Sequence, residues 1–86
     1  PVTIGGPDSG ITITDLSVDG NGGDGIQVIV TGPTTIGDII IDNVNSTNNG
    51  GNGILIDLTD VTFNSVVSIT NSTFEDNALN GAALVM

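Results

Sequence analysis

The sequence predicts an all-β fold, a parallel β-helix (β-solenoid) of about three 28-residue coils with three strands per coil, as a single domain over residues 1–86. Three observations predict it. First, the chain overlies itself without a gap at a spacing of 28 residues: ITITDLSVDGNGGDGIQVIV from Ile11, IIIDNVNSTNNGGNGILIDL from Ile39 and VSITNSTFEDNALNGAALVM from Val67. Repetition at a fixed period of this size marks a stacked-repeat architecture. Second, apolar residues alternate and recur in columns: Ile11, Ile39 and Val67; Ile13, Ile41 and Ile69; Ile26, Ile54 and Ala82; Val28, Ile56 and Leu84; Val30, Leu58 and Met86. That period of two belongs to strands with one buried face. Third, Asn21, Asn49 and Asn77 form a pure Asn column, accompanied by the Asx columns Asp15, Asn43, Asn71 and Asp24, Asn52, Asn80. Stacked aliphatics and Asn ladders suit coils whose like residues lie about 4.8 Å apart.

Each element follows from its column. One strand is Ile26–Val30, repeated as Ile54–Leu58 and Ala82–Met86. A second is Ile11–Thr14, repeated as Ile39–Asp42 and Val67–Thr70. A third, short strand is Leu16–Val18, repeated as Val44–Ser46 and Ser72–Phe74. β-Branched residues dominate the apolar positions and fit a pleated, half-buried surface. Between the second and third strands lies the Asp15, Asn43, Asn71 column, a corner at which Asx side chains bond nearby backbone. After the third strand comes the turn Gly20–Gly25, repeated as Asn48–Gly53 and Asp76–Gly81. Its unbroken glycine column, Gly25, Gly53 and Gly81, predicts a backbone position with positive φ. The longest connection, Thr31–Asp38 and Thr59–Val66, holds Pro33 in one coil and Phe63 in the next, which makes it the variable face.

The acids are staggered. At the 28-residue spacing Asp15 lies under Asn43, Asp24 under Asn52, Asp42 between Thr14 and Thr70, and Asp8 under Ile36; Thr47 separates Asp19 from Glu75. Like charges directly opposite across a strand gap are destabilising. The sequence has no Lys, Arg or His to neutralise its ten acids, so the net charge is −10.

Composition removes several function classes. Nucleic-acid binding is excluded, because affinity there rests on Lys and Arg at phosphates. Attraction to an anionic membrane fails for the same reason, and no apolar run reaches the roughly 18 residues of a membrane span. There is no cysteine, hence no disulfide framework or thiolate metal site. No basic segment precedes an apolar stretch at the start, so Pro1 fits a mature or excised form. High acidity is compatible with disorder, but the regular aliphatic columns favour a folded chain.

Catalytic and metal motifs fail on inspection. The string Gly22-Gly23-Asp24-Gly25-Ile26-Gln27 approaches a calcium-binding nonapeptide, yet Gln27, Leu55 and Ala83 stand where that motif needs Asp. No dedicated cofactor is expected; loosely bound calcium at exposed Asp19, Asp24 or Asp76 is compatible with hard-cation chemistry. Asp57 with Asp60, or Asp15 with Asp42, are the carboxylate pairs a glycosidase would use. No aromatic platform for sugar accompanies them: Phe74 falls in an inward column with Val18 and Ser46, and Phe63 sits in the variable connection. A Ser nucleophile without His lacks a base. The expectation is that the chain is not an enzyme. Asn45-Ser46-Thr47 and Asn71-Ser72-Thr73 match the glycosylation triplet, but such triplets arise freely in an Asn- and Thr-rich chain.

The run Asn45–Ile54, NSTNNGGNGI, with its flanks, resembles the repeats of right-handed parallel β-helix proteins, the pectin-lyase-like group. The resemblance covers the chain from Ile11 onward and implies an architecture. The group includes polysaccharide lyases and hydrolases, phage tailspikes and bacterial surface adhesins. Its lyases resemble one another in using Arg or Lys to abstract a proton beside a uronate, and this chain has neither. The left-handed hexapeptide type fits poorly, because no six-residue aliphatic period runs through the chain.

What remains is a structural or interaction protein. The last residues, Ala82, Ala83, Leu84, Val85 and Met86, lie at a strand position without a polar cap, and Val2 and Ile4 are also strand-like. Continuing the 28-residue spacing back to the start places Val2 in the column of Met86. The leading expectation is therefore an extracellular or cell-surface filament or matrix protein, its subunits joined head to tail through Val2, Ile4, Ala82, Leu84 and Met86. A segment of a longer surface adhesin or autotransporter-like passenger is the alternative. A carbohydrate-binding or glycosidase β-helix, with polysaccharide as partner, comes third. The absence of Lys and Arg leaves trypsin no cleavage site, which suits a long-lived extracellular material.

Overall fold

Parallel strand pairing between segments 28 residues apart runs through the structure. A computed structural model describes residues 2–4, 10–30 and 32–86. For Val2–Ile4 and Thr34 the description covers the backbone only. Pro1 and Asp8 lie outside the described residues, and with them the expected placement of Asp8 under Ile36.

Every regular element among the described residues is a strand. The strands are β1 (Val2–Ile4), β2 (Ile11–Asp19), β3 (Ile26–Val30), β4 (Thr34–Thr35), β5 (Ile39–Thr47), β6 (Ile54–Asp57), β7 (Val61–Thr62), β8 (Val67–Thr70), β9 (Thr73–Glu75) and β10 (Ala82–Val85). One sheet has the order β1-β3-β6-β10. A second has β2-β5-β8, with β9 also on β5. A third pairs β4 with β7. All pairings are parallel.

The sequence columns are strand registers. Ile11 stands beside Ile39, and Ile39 beside Val67; Ile13 stands beside Ile41, and Ile41 beside Ile69. In the first sheet Ile26, Ile54 and Ala82 stand side by side, as do Val28, Ile56 and Leu84. Slipping any strand by one residue would turn its aliphatics outward, so the buried face holds the register. Ile26, Val28, Val30, Ile54 and Ile56 from one sheet, with Ile11, Ile39, Ile41 and Val44 from the other, form the core; Leu58, just past β6, and Ile36 join it from the connections. At about 25 cal/mol per Å² of apolar surface buried, these side chains are the main stabilising term.

The structure corrects three expectations. First, Val2 pairs with Val28 rather than Val30, and Ile4 pairs with Val30. Ile4 is seven residues from Ile11, whereas Val30 to Ile39 and Leu58 to Val67 are nine. The shorter first connection shifts the pairing by two residues, so Val2 belongs to the column of Leu84.

Second, the strands on either side of the Asx corner are continuous in β2 and β5 and separate only as β8 and β9. Asp15 and Asn43 turn the strand with φ of 55°, and Asn71 does so with φ of 51°. This left-handed region is tolerated by Asn and Asp more than by other L residues. The third pairing region is instead β4 with β7, inside the connection.

Third, Gly25, Gly53 and Gly81 are absent from the positive-φ glycines among the described residues; Gly20 holds that conformation, with φ of 74°. Gly25 is required for space. A Cβ there would collide with Ser46 Oγ and would lie 2.6 Å from Asn49 Nδ2 and 2.8 Å from the Gly53 carbonyl.

Candidate functional site

The polar turn carries the ordered chemistry of this chain and is built as two ladders; at the corner column Asn43 bonds Asp15, but Asn71 bonds Asp42 instead of Asn43, so the expected ladder does not continue there. Asn21 donates from both its backbone N and Nδ2 to Asn49 Oδ1, at 3.0 and 2.9 Å. Asn49 repeats both bonds to Asn77 Oδ1, at 3.0 and 2.9 Å. Asn49 also donates to Ser46 Oγ at 3.0 Å, and Ser46 Oγ donates to the Gly53 carbonyl at 2.7 Å. Asn49 and Ser46 are buried. Every buried side-chain polar atom among the described residues has a partner, so the desolvation cost of burying these groups is offset.

The neighbouring ladder runs the other way. Asn52 donates from its backbone N and Nδ2 to Asp24 Oδ1, at 2.6 and 3.0 Å. Asn80 donates the same pair to Asn52 Oδ1, at 3.0 and 3.2 Å. Gln27 Nε2 reaches the other Asp24 oxygen at 2.8 Å. Donors toward Asp24, from Gln27 first and then Asn52, hold its carboxyl below the ordinary aspartate range.

This ladder shows how an all-acid chain manages its charge. Each of five carboxylates accepts from the next repeat along the chain. Asn43 Nδ2 reaches Asp15 at 2.7 Å; Thr47 Oγ1 and Asn48 Nδ2 reach Asp19 at 3.1 and 2.8 Å. Val66 N reaches Asp38 at 3.0 Å, and Thr70 Oγ1 and Asn71 Nδ2 reach Asp42, both at 2.9 Å. Asp24 completes the set. Amides and hydroxyls thus do the work that cations do elsewhere. For Asp42, donation from Asn71 and then Thr70 keeps the carboxyl below its ordinary range. Asp57 bonds locally instead, to Thr59 Oγ1 at 2.6 Å and Thr59 N at 3.0 Å, with the same effect on its carboxyl.

Of the residues that a cation or glycosidic site would use, Asp15, Asp19, Asp24, Asp42 and Asp57 accept hydrogen bonds. Asp19 and Asp24 accept ladder bonds, Asp15 and Asp42 belong to separate corner bonds, and Asp57 turns back on Thr59. Asp76 turns the chain with φ of 55°. Phe63 and Phe74 are both half-buried against the core. Among the described residues there is no cavity and no group of three metal-ligating side chains.

The outer edge at β10 presents an apolar surface. Leu84, Val85 and Met86 are exposed, Met86 at 68%. Leu84 occupies the column of buried Val28 and Ile56, and Met86 follows the spacing of buried Val30 and Leu58. β10 pairs with β6 on one side and is the end strand of its sheet. Of the expected assembly residues, Ala82, Leu84 and Met86 lie on this edge, whereas Val2 and Ile4 lie in β1 at the opposite end of the same sheet, where only their backbone is described.

Sequence reasoning missed the direction of the ladders and the bonds that Ser46, read as inward-facing, makes with Asn49 and the Gly53 carbonyl. The acid columns carried a signal for the first: Asp stands at the foot of two Asx columns and Asn above it. No family model, curated protein or solved structure matches the chain.

Proposed function

We propose that the chain is a parallel β-solenoid of about three 28-residue coils, of the right-handed β-helix type that its repeats resemble. In this reading it is a structural, non-enzymatic module of an extracellular or cell-surface filament or matrix. Successive copies join head to tail along the coil axis. The observation that carries the proposal is the exposed β10 edge. It repeats the apolar positions buried in β3 and β6, and β1 stands at the other end of the same parallel sheet. Parallel edges of one sheet are complementary, so a second copy added there pairs backbone and buries Leu84 and Met86, a strand addition repeated without closure. The ladders supply a polar surface of paired amides and hydroxyls, and the negative charge keeps such an assembly soluble.

Electron microscopy and sedimentation of the purified chain test this. Filaments or concentration-dependent oligomers are expected, and Leu84→Asp abolishes them with the circular dichroism spectrum unchanged. A chain that stays monomeric at high concentration overturns the proposal.

A further inference from the structure

We propose that Asn45 is a site of N-linked glycosylation. The proposal rests on the extracellular part of the reading above and not on the filament. Two triplets, Asn45-Ser46-Thr47 and Asn71-Ser72-Thr73, have the residue types that such a site needs. They are identical in sequence and differ in where the fold puts them.

Asn45 lies in β5, in the middle repeat, with a paired strand on each side: Ser17 of β2 and Thr73 of β9 are its register neighbours. Strand alternation turns Ser46 inward, where it is buried and donates to the Gly53 carbonyl, and turns Asn45 outward, where it is exposed. This is exceptional in a chain that builds its asparagines into ladders. Among the described residues every other asparagine except Asn64 donates a side-chain hydrogen bond. Asn64 has Val66, not Ser or Thr, two residues on. Asn45 is therefore the one asparagine that heads a triplet and keeps its amide out of the network of the described residues. Ser17 and Thr73, about one strand spacing to either side, have shorter side chains that likewise make no hydrogen bond among the described residues. They leave the Asn45 amide uncrowded.

The second triplet is built into the contact between repeats. Asn71 turns the chain with φ of 51°, and its Nδ2 donates to Asp42 at 2.9 Å. Ser72 Oγ donates to the Thr70 carbonyl at 2.8 Å and accepts from Val44 N at 3.1 Å. A sugar on Asn71 would stand at the bond that joins this corner to Asp42, whereas a sugar on Asn45 meets only solvent.

The donor is an oligosaccharide linked to a polyprenyl diphosphate. Transfer joins Asn45 Nδ2 to the anomeric carbon of the first sugar, and the amide gives up one proton. The bond from that carbon to the diphosphate breaks, and the diphosphate leaves with the electron pair, still on its lipid. No core contact and no ladder bond of the folded chain is lost.

Secretion of the 86-residue chain from eukaryotic cells tests the site. Cleavage before aspartate puts the two triplets in separate peptides, residues 42–56 and 60–75. Enzymatic release of N-glycans in heavy-oxygen water, followed by mass spectrometry, is expected to mark Asn45 in the first peptide. Asn45→Gln is expected to lose that sugar with the circular dichroism spectrum and the unfolding midpoint unchanged. A secreted chain bare at Asn45, or one with sugar at Asn71 alone, overturns the site and leaves the filament reading standing. A glycosylated chain that unfolds earlier than Asn45→Gln also overturns it, because the fold would then not carry the sugar freely. Retention of the chain inside the cells without sugar overturns the extracellular reading and the site with it. Sugar at Asn45, with both the parent and Asn45→Gln monomeric at high concentration, upholds the site and overturns the filament alone.

Discussion

The second repeat, Ile39–Leu58, and the third, Val67–Met86, have nearly the same apolar pattern and different fates. Ile41 is fully buried and Ile69 is 38% exposed; Leu58 is 1% exposed and Met86 68%. Asn49 is buried, while Asn77 is half-buried. The side chains point the same way in both repeats because they share registers with the same neighbours. What differs is whether another repeat lies on both sides. Periodicity therefore sets direction, and stacking sets burial.

The largest test of that difference is a charge in the aliphatic column. Ile41→Asp buries an unpaired carboxylate between Ile13 and Ile69, at a cost of several kcal/mol, enough to unfold a marginally stable domain. Ile69→Asp is expected to cost about 1 kcal/mol, since its carboxylate keeps contact with water. Urea titration of both variants checks the pair; equal losses would mean that the third repeat is as enclosed as the second.

The next test is the Asn ladder. Asn49→Ala removes the acceptor for two Asn21 donors and the Nδ2 bonds to Ser46 and Asn77. A loss of about 1–3 kcal/mol is expected from stranding buried partners. Asn77→Ala is expected to cost less, because water reaches the groups it leaves. The ratio of the two losses, from thermal or urea unfolding, measures what enclosure adds to one and the same amide.

A smaller contrast lies in the glycine column. At Gly53 a Cβ would lie 2.5 Å from the Gly81 carbonyl and 2.8 Å from Asn77 Nδ2. At Gly81 it would lie 3.2 Å from the Phe74 carbonyl and 3.3 Å from Phe74 Cβ. Gly53→Ala must move backbone and is expected to cost roughly 1–3 kcal/mol. Gly81→Ala needs a shift of a few tenths of an ångström and is expected to be within about 0.5 kcal/mol of neutral. Comparable melting temperatures for the two variants would show that the column serves something other than close packing.

These contrasts also separate what the sequence could disclose from what it could not. The 28-residue spacing was sufficient for the register of Ile11–Thr14 on Ile39–Asp42 and for the Asn column, because repeats constrain one another. It failed at Val2, where no second copy of the shorter first connection exists to reveal a two-residue shift. It also failed on the reason for the glycines. A glycine column is equally compatible with positive φ and with crowding, and only the position of Ser46 Oγ and Asn49 Nδ2 decides for crowding. The direction of the ladders was legible in part. An Asp can only accept, so Asp24 beneath Asn52 implied donation from the later repeat. Nothing comparable marked the opposite direction of the Asn21, Asn49, Asn77 column, since an Asn both donates and accepts.

The smallest expected effect is the pH dependence of the bonds between the first repeat and the second. Asp24 is half-buried and accepts from Gln27 and from Asn52, whose donors keep its carboxyl below the ordinary range. In the unfolded chain an aspartate titrates near about 3.9. The folded value is the lower one, so the stabilisation is complete above about pH 4 and is lost as pH falls through the folded-state value. Asp42 behaves with the same sign, its donors Asn71 and Thr70 coming from the third repeat. Water screens both groups, so Asp24 is expected to contribute only about a few tenths of a kcal/mol. Urea titrations between about pH 6 and about pH 2.5, spanning the carboxylate range, should show the loss in the parent chain. They should show a shallower fall in Asp24→Asn, which keeps an acceptor for Asn52 but has no charge to lose. If the variant and the parent fall in parallel, the Asp24 carboxylate adds nothing to the contact between the two repeats beyond what a neutral amide supplies.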